Sequence, residues 1–467
     1  MIPLVIRKPH CRPLVQVAKY TYGGKKMINK VIKRVLEVLA NTKNREYQKQ
    51  FQTKPTAFSR PRRQKMKFYE MILYYLVNTG QSLSIDLLKF FNNLPEMRET
   101  ISKQAFSKQR LNIDCKIFED LNNKYIKLVY ADRMLLFHGR LLIAVDGSTA
   151  EIPNTQELIK HFGSAKASDT SAQNARVGLN GFYDPLNHIL LKLVVDEYQK
   201  NEVKVFRENV GEIIQRYGDK PICFIFDRGY ISLALLLELD QMGVEYLFRL
   251  PSYCYKEEVQ SASTKDEEIE INITKYRLKN VDSEEQEQYL AQKTKRVRLV
   301  QVELDTGEIE YLITNIASSE ISYNEMKAFY YKRWEIERVF NLLKNRLHIE
   351  DIGARTPEGV KQEIQATVFL GNIIEDIIVD VNEKLPQSEK NKHHYYVNVN
   401  LLCGMVKNYF LLIYYLEALS DEIREWYYKM LIGFIQQTVI AKNIGKNNPR
   451  IKRVSRNKYK TNIRNSY

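Results

Sequence analysis

Residues 141–150 read LLIAVDGSTA, and residues 221–230 read PICFIFDRGY. Each contains a short continuous apolar run, the mark of a strand buried on both faces. Each run stops at an aspartate, Asp146 followed by Gly-Ser-Thr or Asp227 followed by Arg-Gly-Tyr. In an α/β sheet, ligands bind outside the carboxyl ends of the strands, so strand-end aspartates on neighbouring strands can converge. A single aspartate in that position is more often a turn or cap residue. Two of them in a partly buried cleft are costly unless they coordinate a cation, and oxygen ligands favour Mg²⁺ or Mn²⁺.

Between these runs, ARVGLNGFYDPLNHILLKLVV (175–195) reads as a hairpin turning at Asp184-Pro185 and Asn187. Helical stretches follow at 202–216 and 231–242. Strand, hairpin, helix, strand, helix is an α/β core. Residues 251–318 differ: ITKYRLK, RVRLVQVEL and IEYLITNI alternate or carry β-branched residues, which predicts a β-rich insertion. A long helix is expected at 322–347, with further helices to about residue 441.

Upstream of the core, residues 28–130 read mostly as helices, from apolar three-and-four spacing in INKVIKRVLEVLA and KFYEMILYYLV and a Ser82 or Ser84 cap before SLSIDLLKFF. FSRPRRQKMKF (58–68) is a loop or helix start with a dense positive cluster that includes Arg62, Arg63 and Lys65. TISKQAFSKQRL is a short amphipathic helix with Ser102 as cap and Lys103, Lys108 and Arg110 expected at its surface. A helix-turn-helix stays open, although the roughly nine residues after Phe91 exceed its usual 3–4-residue turn. The expected divisions are 1–135, a helical basic region; 136–250, first part of the core; 251–318, the insertion; 319–385, second part of the core; and 386–467, a helical carboxy-terminal region with a basic tail.

The chain has 467 residues, 44% hydrophobic and 27% charged, which excludes both a small stapled scaffold and a disordered chain. Its five cysteines are odd in number and never in a C-x-x-C pair, arguing against a disulfide framework or thiolate zinc site and for a reducing cytoplasm. No apolar stretch approaches the ~20 residues of a membrane span. The net charge of +15 is uneven: 28 basic against 10 acidic residues in 1–140, 9 against 0 in 442–467, and −12 in between. Basic ends hold a polyanion by releasing its counterions, while a carboxylate-rich centre repels phosphates unless cations neutralise it. Solubilising arms are the plainer alternative for the basic runs.

A third carboxylate lies in KAFYYKRWEIERVFNLLKNRL (327–347). On a continuous helix Tyr330, Arg333, Glu337 and Lys344 fall in one strip about 60° wide, beside an apolar seam of Ile336, Val339, Phe340, Leu343 and Leu347. In isolation that strip would be a solvated face with an Arg333–Glu337 pair contributing ~0.3 kcal/mol. With two strand-end aspartates upstream, Asp146, Asp227 and Glu337 suit two-metal phosphoryl transfer, and Arg333, Lys344 and Tyr330 would orient phosphates.

At this point the sequence resembles the DDE transposases of bacterial insertion sequences that carry a Tyr-x2-Arg-x3-Glu-x6-Lys motif, the insertion-sequence-four family. DGSTAEIPNTQELIKHFG (146–163), ARVGLNGFYDPLN (175–187), FDRGY (226–230) and YYKRWEIERVFNLLK (330–344) are similar to its blocks, in order, within a resemblance spanning roughly 55–410. The resemblance implies a ribonuclease-H-like core interrupted by a β insertion, and cut-and-paste transposition with two Mg²⁺ or Mn²⁺ ions. It implies Asp146, Asp227 and Glu337 as metal ligands and Tyr330, Arg333 and Lys344 as contacts to terminal phosphates. Arg228, Arg62, Arg63, Lys65, Lys103, Lys108 and Arg110 are the further candidate DNA contacts. The implied partners are double-stranded DNA, as terminal inverted repeats and target, and a second copy in a synaptic homodimer on the nucleoid. Some relatives stack a flipped base on a tryptophan of the insertion; here both tryptophans, Trp334 and Trp426, lie outside it, leaving Tyr253, Tyr255, Tyr276, Tyr289 and Tyr311. The rival readings are a metal-dependent endonuclease without strand transfer and a catalytically silent DNA-binding descendant.

The seven histidines form no metal spacing, and His393-His394 reads as a solvated loop pair. Ala144 removes the first aspartate of an Asp-x-Asp phosphatase, and no G-x4-G-K-[ST] loop is present.

Overall fold

The computed structural model describes residues 30–443, apart from 59–64, 79, 95–97, 167–172, 280, 305–306, 384, 386–392 and 416–420. Arg62, Arg63 and nearly all of the basic tail therefore lie outside the described residues. The helices are α1 (Lys30–Ala40), α2 (Arg45–Gln50), α3 (Phe68–Val77), α4 (Leu83–Asn92), α5 (Lys103–Arg110), α6 (Lys116–Asp132), α7 (Gln156–Phe162) and α8 (Glu202–Tyr217). They continue with α9 (Leu233–Gln241), α10 (Lys256–Gln260), α11 (Ser283–Leu290), α12 (Tyr323–Tyr331), α13 (Glu335–Asn345), α14 (Pro357–Asn382), α15 (Val399–Tyr415) and α16 (Asp421–Gln437).

The strands β1 (Leu141–Glu151), β2 (Ser164–Lys166), β3 (Gln173–Asp184), β4 (Ile189–Glu197), β5 (Ile222–Phe226), β6 (Glu245–Arg249), β7 (Asp266–Asn272), β8 (Thr294–Glu303) and β9 (Ile309–Thr314) join one sheet. Its order is β4-β3-β1-β5-β6-β9-β8-β7, with β2 pairing the start of β3. β3 runs antiparallel to β1 and β4, whereas β5 and β6 run parallel to β1. That half, β4-β3-β1-β5-β6, is a ribonuclease-H-like mixed sheet, so the α/β class expected from the sequence is the one the chain adopts.

Burial follows the residue pattern. Every residue of ICFIF in β5 is buried, as a strand covered on both faces requires. On one face Phe206 of α8 packs on Phe182, Phe224 and Phe226, each contributing about 2–3 kcal/mol by leaving water. On the other, α13 lies close to the sheet: a methyl group at Gly181 would meet Phe340 and Ile336 at 3.3 and 3.4 Å. Behind α13 runs α14, whose Gln365 and Asn372 donate to the main-chain carbonyls of Leu193 and Leu190 at the edge of β4. The amino-terminal helices complete this layer: Tyr75 donates to Gln362 and Tyr125 to Asp376, and the apolar core is continuous from Val31 to Ile435.

Several expectations are corrected. The insertion adds strands to the core sheet: β9 pairs antiparallel with β6 and carries β8 and β7 as further strands. ITKYRLK is not a strand. The strand is DEEIEIN just before it, where Ile269 and Ile271 turn inward and acidic residues face Arg296 and Arg298 of β8. The helix foreseen at 322–347 is divided by a 3-10 turn, Lys332–Trp334, which brings Arg333 inward, 2% exposed. Residues 93–102 separate α4 from α5, too long for a helix-turn-helix turn. His393-His394 is part of β10 (His393–Tyr396), paired with β11 (Ile440–Asn443), and not a loop. No described helix is long and apolar enough to cross a membrane.

Arg110 is the clearest correction. It is not on the surface: it pairs with Glu363, donates to Gln362 and to the Gly359 carbonyl, and lies over the rings of Tyr75 and Phe106. At 5% exposed, it holds α5 to α14 and is closed to DNA.

Candidate active site

The parallel register between β1 and β5 ends at Val145 opposite Phe226. Asp146 and Asp227 are the next residues on the two strands, so the pairing that buries both apolar runs delivers both carboxylates to one sheet edge. β1 continues past this point against β3, with Asp146 opposite Gly181 and Gly147 opposite Asn180. Asp146 accepts from the Gly147 amide at 2.9 Å.

Arg333 reaches this edge from the other side of the sheet-helix interface. Its Nη1 lies 3.5 Å from Asp146 Oδ2 and its Nη2 3.2 Å from Glu337 Oε1, so one guanidinium links the β1 aspartate to the α13 glutamate. The guanidinium also lies over the Trp334 ring, 4.4 Å from its centroid. Burial works against its charge, but Tyr330, Asp227, Asp146 and Glu337 outweigh that and hold its pKa above the ordinary value. Lys344, two turns beyond Glu337, donates to Ser148 Oγ at 2.7 Å, two residues beyond Asp146 on β1; burial draws its pKa down.

The electrostatics are those of carboxylates crowded into a partly buried edge. Asp146 is pushed up to about 6, chiefly by burial, with Arg333 and the Gly147 amide opposing and the charges of Glu202 and Asp227 adding to the rise. Asp227 Oδ1 and Arg333 Nε are buried and make no hydrogen bond, while the Tyr230 hydroxyl lies against Glu202 and the Tyr330 hydroxyl against Arg333. An unmade hydrogen bond of a buried polar group costs ~1–3 kcal/mol, so this edge keeps polar capacity that a bound group could use. The donor set, carboxylate oxygens only, fits a hard divalent cation. The three carboxylates do not close into a ready cage: among the described residues the group whose ligand atoms lie mutually within 4.8 Å is Asp114, Cys115 and Glu358. That group is accounted for by helix ends, since Glu358 accepts from the Cys115 amide and Asp114 from the Lys116 amide. Burial pushes the Cys115 thiol up, away from the thiolate a soft metal would need.

Glu202 belongs to none of the sequence motifs. It stands at the start of α8, and a methyl group at Gly147 would fall 2.0 Å from its Oε1. Only its charge type and place after the hairpin would have signalled it.

The remaining sequence candidates lie apart from this cluster or at its rim. Arg228 is exposed beside Asp227, and Lys103 and Lys108 are exposed on α5. Lys65 is exposed and pairs with Glu99 at 3.4 Å. In the insertion Tyr253 and Tyr276 stand 80% and 79% exposed, whereas Tyr289 is fully buried and hydrogen-bonded to Glu285.

A family model described as Transposase DDE domain matches residues 137–373, from just before β1 into α14 and so across Asp146, Asp227 and Glu337. InsZ of Escherichia coli strain K12, named as a transposase, is 33% identical over 119 residues, 25% of this chain and 38% of that protein. The transposase for insertion sequence element IS421 of Escherichia coli is 33% identical over 90 residues, 19% of this chain and 24% of that protein. The chain thus spans well under half the length of these curated relatives. A cryo-electron-microscopy structure of the piggyBac transposase synaptic complex with hairpin DNA is 10% identical, with a TM-score of 0.41 over 87% of this chain and 86% of that one. With about half of its residues matched, including both strand-end aspartates and the helix that carries the third carboxylate, the chain belongs to the DDE transposase domain family.

Proposed function

We propose that this protein is a DNA transposase that cuts and rejoins the ends of an insertion sequence by metal-assisted phosphoryl transfer. The observation that carries this is the β1–β5 register, which puts Asp146 and Asp227 side by side at the end of paired strands, under a helix that presents Arg333 and Glu337. Asp146, Asp227 and Glu337 would hold two divalent cations, Mg²⁺ or Mn²⁺. When bound, such ions activate water or a 3′-hydroxyl and stabilise the leaving oxygen.

The protein's own groups divide the remaining work. Arg333 presents a guanidinium already paired with Asp146 and Glu337, with Nε still free to donate to a phosphate oxygen. Lys344 and the Tyr330 hydroxyl supply further donors along the same strip. Arg228, Lys65, Lys103 and Lys108 would meet the DNA backbone beyond the cut and contribute salt-dependent affinity. Terminal inverted repeats and target duplex are the substrates in this reading, bound by a homodimer that brings two ends together.

The test uses DNA carrying the short inverted repeats that flank the reading frame. With Mg²⁺ the protein should nick at the repeat ends and join the released 3′-hydroxyl to a second duplex. Asp227→Asn should lose at least about 10³-fold in nicking, about 4 kcal/mol of barrier, while binding the same DNA. If that variant cuts as well as the parent, the mechanism is wrong. Nicking without joining would make the protein an endonuclease.

A further inference from the structure

We propose that Arg338, the residue after Glu337 on α13, is a positioning residue for the reaction: it pins the helix to the β3–β4 turn and to α14, and so fixes where the Glu337 carboxylate stands relative to Asp146 and Asp227. This rests on the cation-dependent reading above and extends it to a side chain outside both the acidic triad and the strip of Tyr330, Arg333 and Lys344.

The geometry begins with Glu337 itself. Its carboxylate meets Arg333 at 3.2 Å and its side chain is 49% exposed, so its place is set chiefly by the helix that carries it. Consecutive helical residues point about 100° apart, so Arg338 leaves the same turn in a different direction. Its Nη2 lies 2.7 Å from His188 Nδ1 and 3.3 Å from both the Tyr183 hydroxyl and Glu375 Oε2, and its Nε donates to Glu335 Oε2 at 2.9 Å. One guanidinium thus holds α13 to the sheet and to α14 at once. Tyr183 stands on β3 two residues after Gly181, which lies opposite Asp146 and in close approach to Phe340 and Ile336 of α13. The helix is therefore seated on the sheet at Gly181 and held sideways at Tyr183.

An arginine on a helix surface is ordinary by itself; the difference here lies in what it is anchored to. Tyr183 and Glu375 are 0% and 2% exposed, and Arg338, whose side chain is 41% exposed, closes over both. Burial raises the Glu375 pKa, and Arg338 is the charge that opposes the rise. His188 is held in the left-handed region at φ 56°, which few residues with a side chain adopt. Burial and the Arg338 charge keep its imidazole neutral, so Nδ1 accepts. The turn that presents it is fixed in place, because Asp184 accepts from the Leu186 and Asn187 amides, the Asn187 side chain and the Tyr130 hydroxyl of α6. A rigid turn and a buried carboxylate give Arg338 fixed points to register the helix against. Precision matters there, since a misplacement of about 1 Å in a reacting group can cost on the order of 10²-fold in rate.

The experiment is nicking of the repeat-end DNA by the full chain across a Mn²⁺ series, with kcat, KM and urea unfolding measured for each variant. Arg338→Gln should lower kcat about 10²-fold, leave the KM for DNA unchanged and raise the Mn²⁺ needed for half-maximal nicking severalfold, because the Glu337 carboxylate is no longer held at the cation. Arg338→Lys, which keeps the charge but not the planar fork, should restore part of kcat. Arg338→Gln combined with Glu375→Gln should regain the stability lost by the single variant, since no buried carboxylate is stranded, and still nick as slowly as Arg338→Gln. If the double variant regains parental kcat along with its stability, or if Arg338→Gln nicks like the parent at the parent's Mn²⁺ requirement, Arg338 only covers Glu375 and the functional reading stands. If the parent does not nick with Mn²⁺, or Asp227→Asn nicks undiminished, the cation reading itself falls and this inference with it.

Discussion

Arg34 and Arg333 are both buried guanidiniums among carboxylates and tyrosines, yet they are provided for differently. In the helical layer, Arg34 Nε and Nη2 donate to Asp376 and Nη1 to Asp132, and Asp376 also accepts from Tyr125 and Arg133. Every charge there has close partners. At the sheet edge, Arg333 makes contacts of 3.2 and 3.5 Å, its Nε has none, and Asp227 Oδ1 nearby is likewise unmatched. The same ingredients make a closed network that fastens α1 and α6 to α14 in one place and an open one in the other. That contrast separates a closed structural network from a polar edge that still has capacity to bind.

The contrast is broken most forcefully through Asp376. Asp376→Ala leaves Arg34 and Arg133 without their shared carboxylate, and the loss should be about 3–5 kcal/mol in urea unfolding, with Mn²⁺ affinity unchanged. A loss below about 1 kcal/mol would mean the network is not closed as described.

The opposite result is expected at Asp146. Its folded pKa of about 6 is above the ordinary 3.8, so between those values the unfolded chain binds fewer protons than the folded one and stability falls as pH rises. The penalty is absent below about pH 4 and complete above about pH 6, on the order of 3 kcal/mol from a shift of about two units. In chelator, Asp146→Asn should therefore be more stable than the parent at pH 7.5, and the advantage should vanish towards pH 4. Equal stabilities across that range would show that no electrostatic deficit is stored there.

The smallest contrast lies within α5, between neighbours of like charge. Arg110→Ala strands Glu363 and Gln362 and should destabilise by ~2–4 kcal/mol. Lys108→Ala, on the exposed face, should change stability by less than about 0.5 kcal/mol and instead reduce the salt slope of DNA binding by about one.

What the sequence disclosed and what it withheld divide along the same physical line. The apolar runs before Asp146 and Asp227, the hairpin at 175–195 and the Ile336–Leu347 seam are local patterns, and each is found buried where its periodicity requires. Arg110 could not be read, because the residues that bury it, Gln362 and Glu363, are some 250 positions away. For Glu202 the difficulty is the same: what distinguishes it is a glycine on another element, not its neighbours in the chain. The pairing of β9 with β6 is a choice among strand edges that alternation does not specify. In β7 the alternation is present, but strand propensity favours the following segment, since ITKYRLK carries β-branched residues and DEEIEIN mostly acids.

That β9–β6 pairing has a mechanical corollary. Leu247, Phe248 and Arg249 are laddered to Thr314, Ile313 and Leu312, so residues 266–314 are bolted to the strand next to β5 and not hung from a hinge. A load applied at the exposed Tyr276 would be passed through main-chain ladders to the strand that ends next to Asp227, so the arm and the Asp146–Asp227 edge would move as one lever.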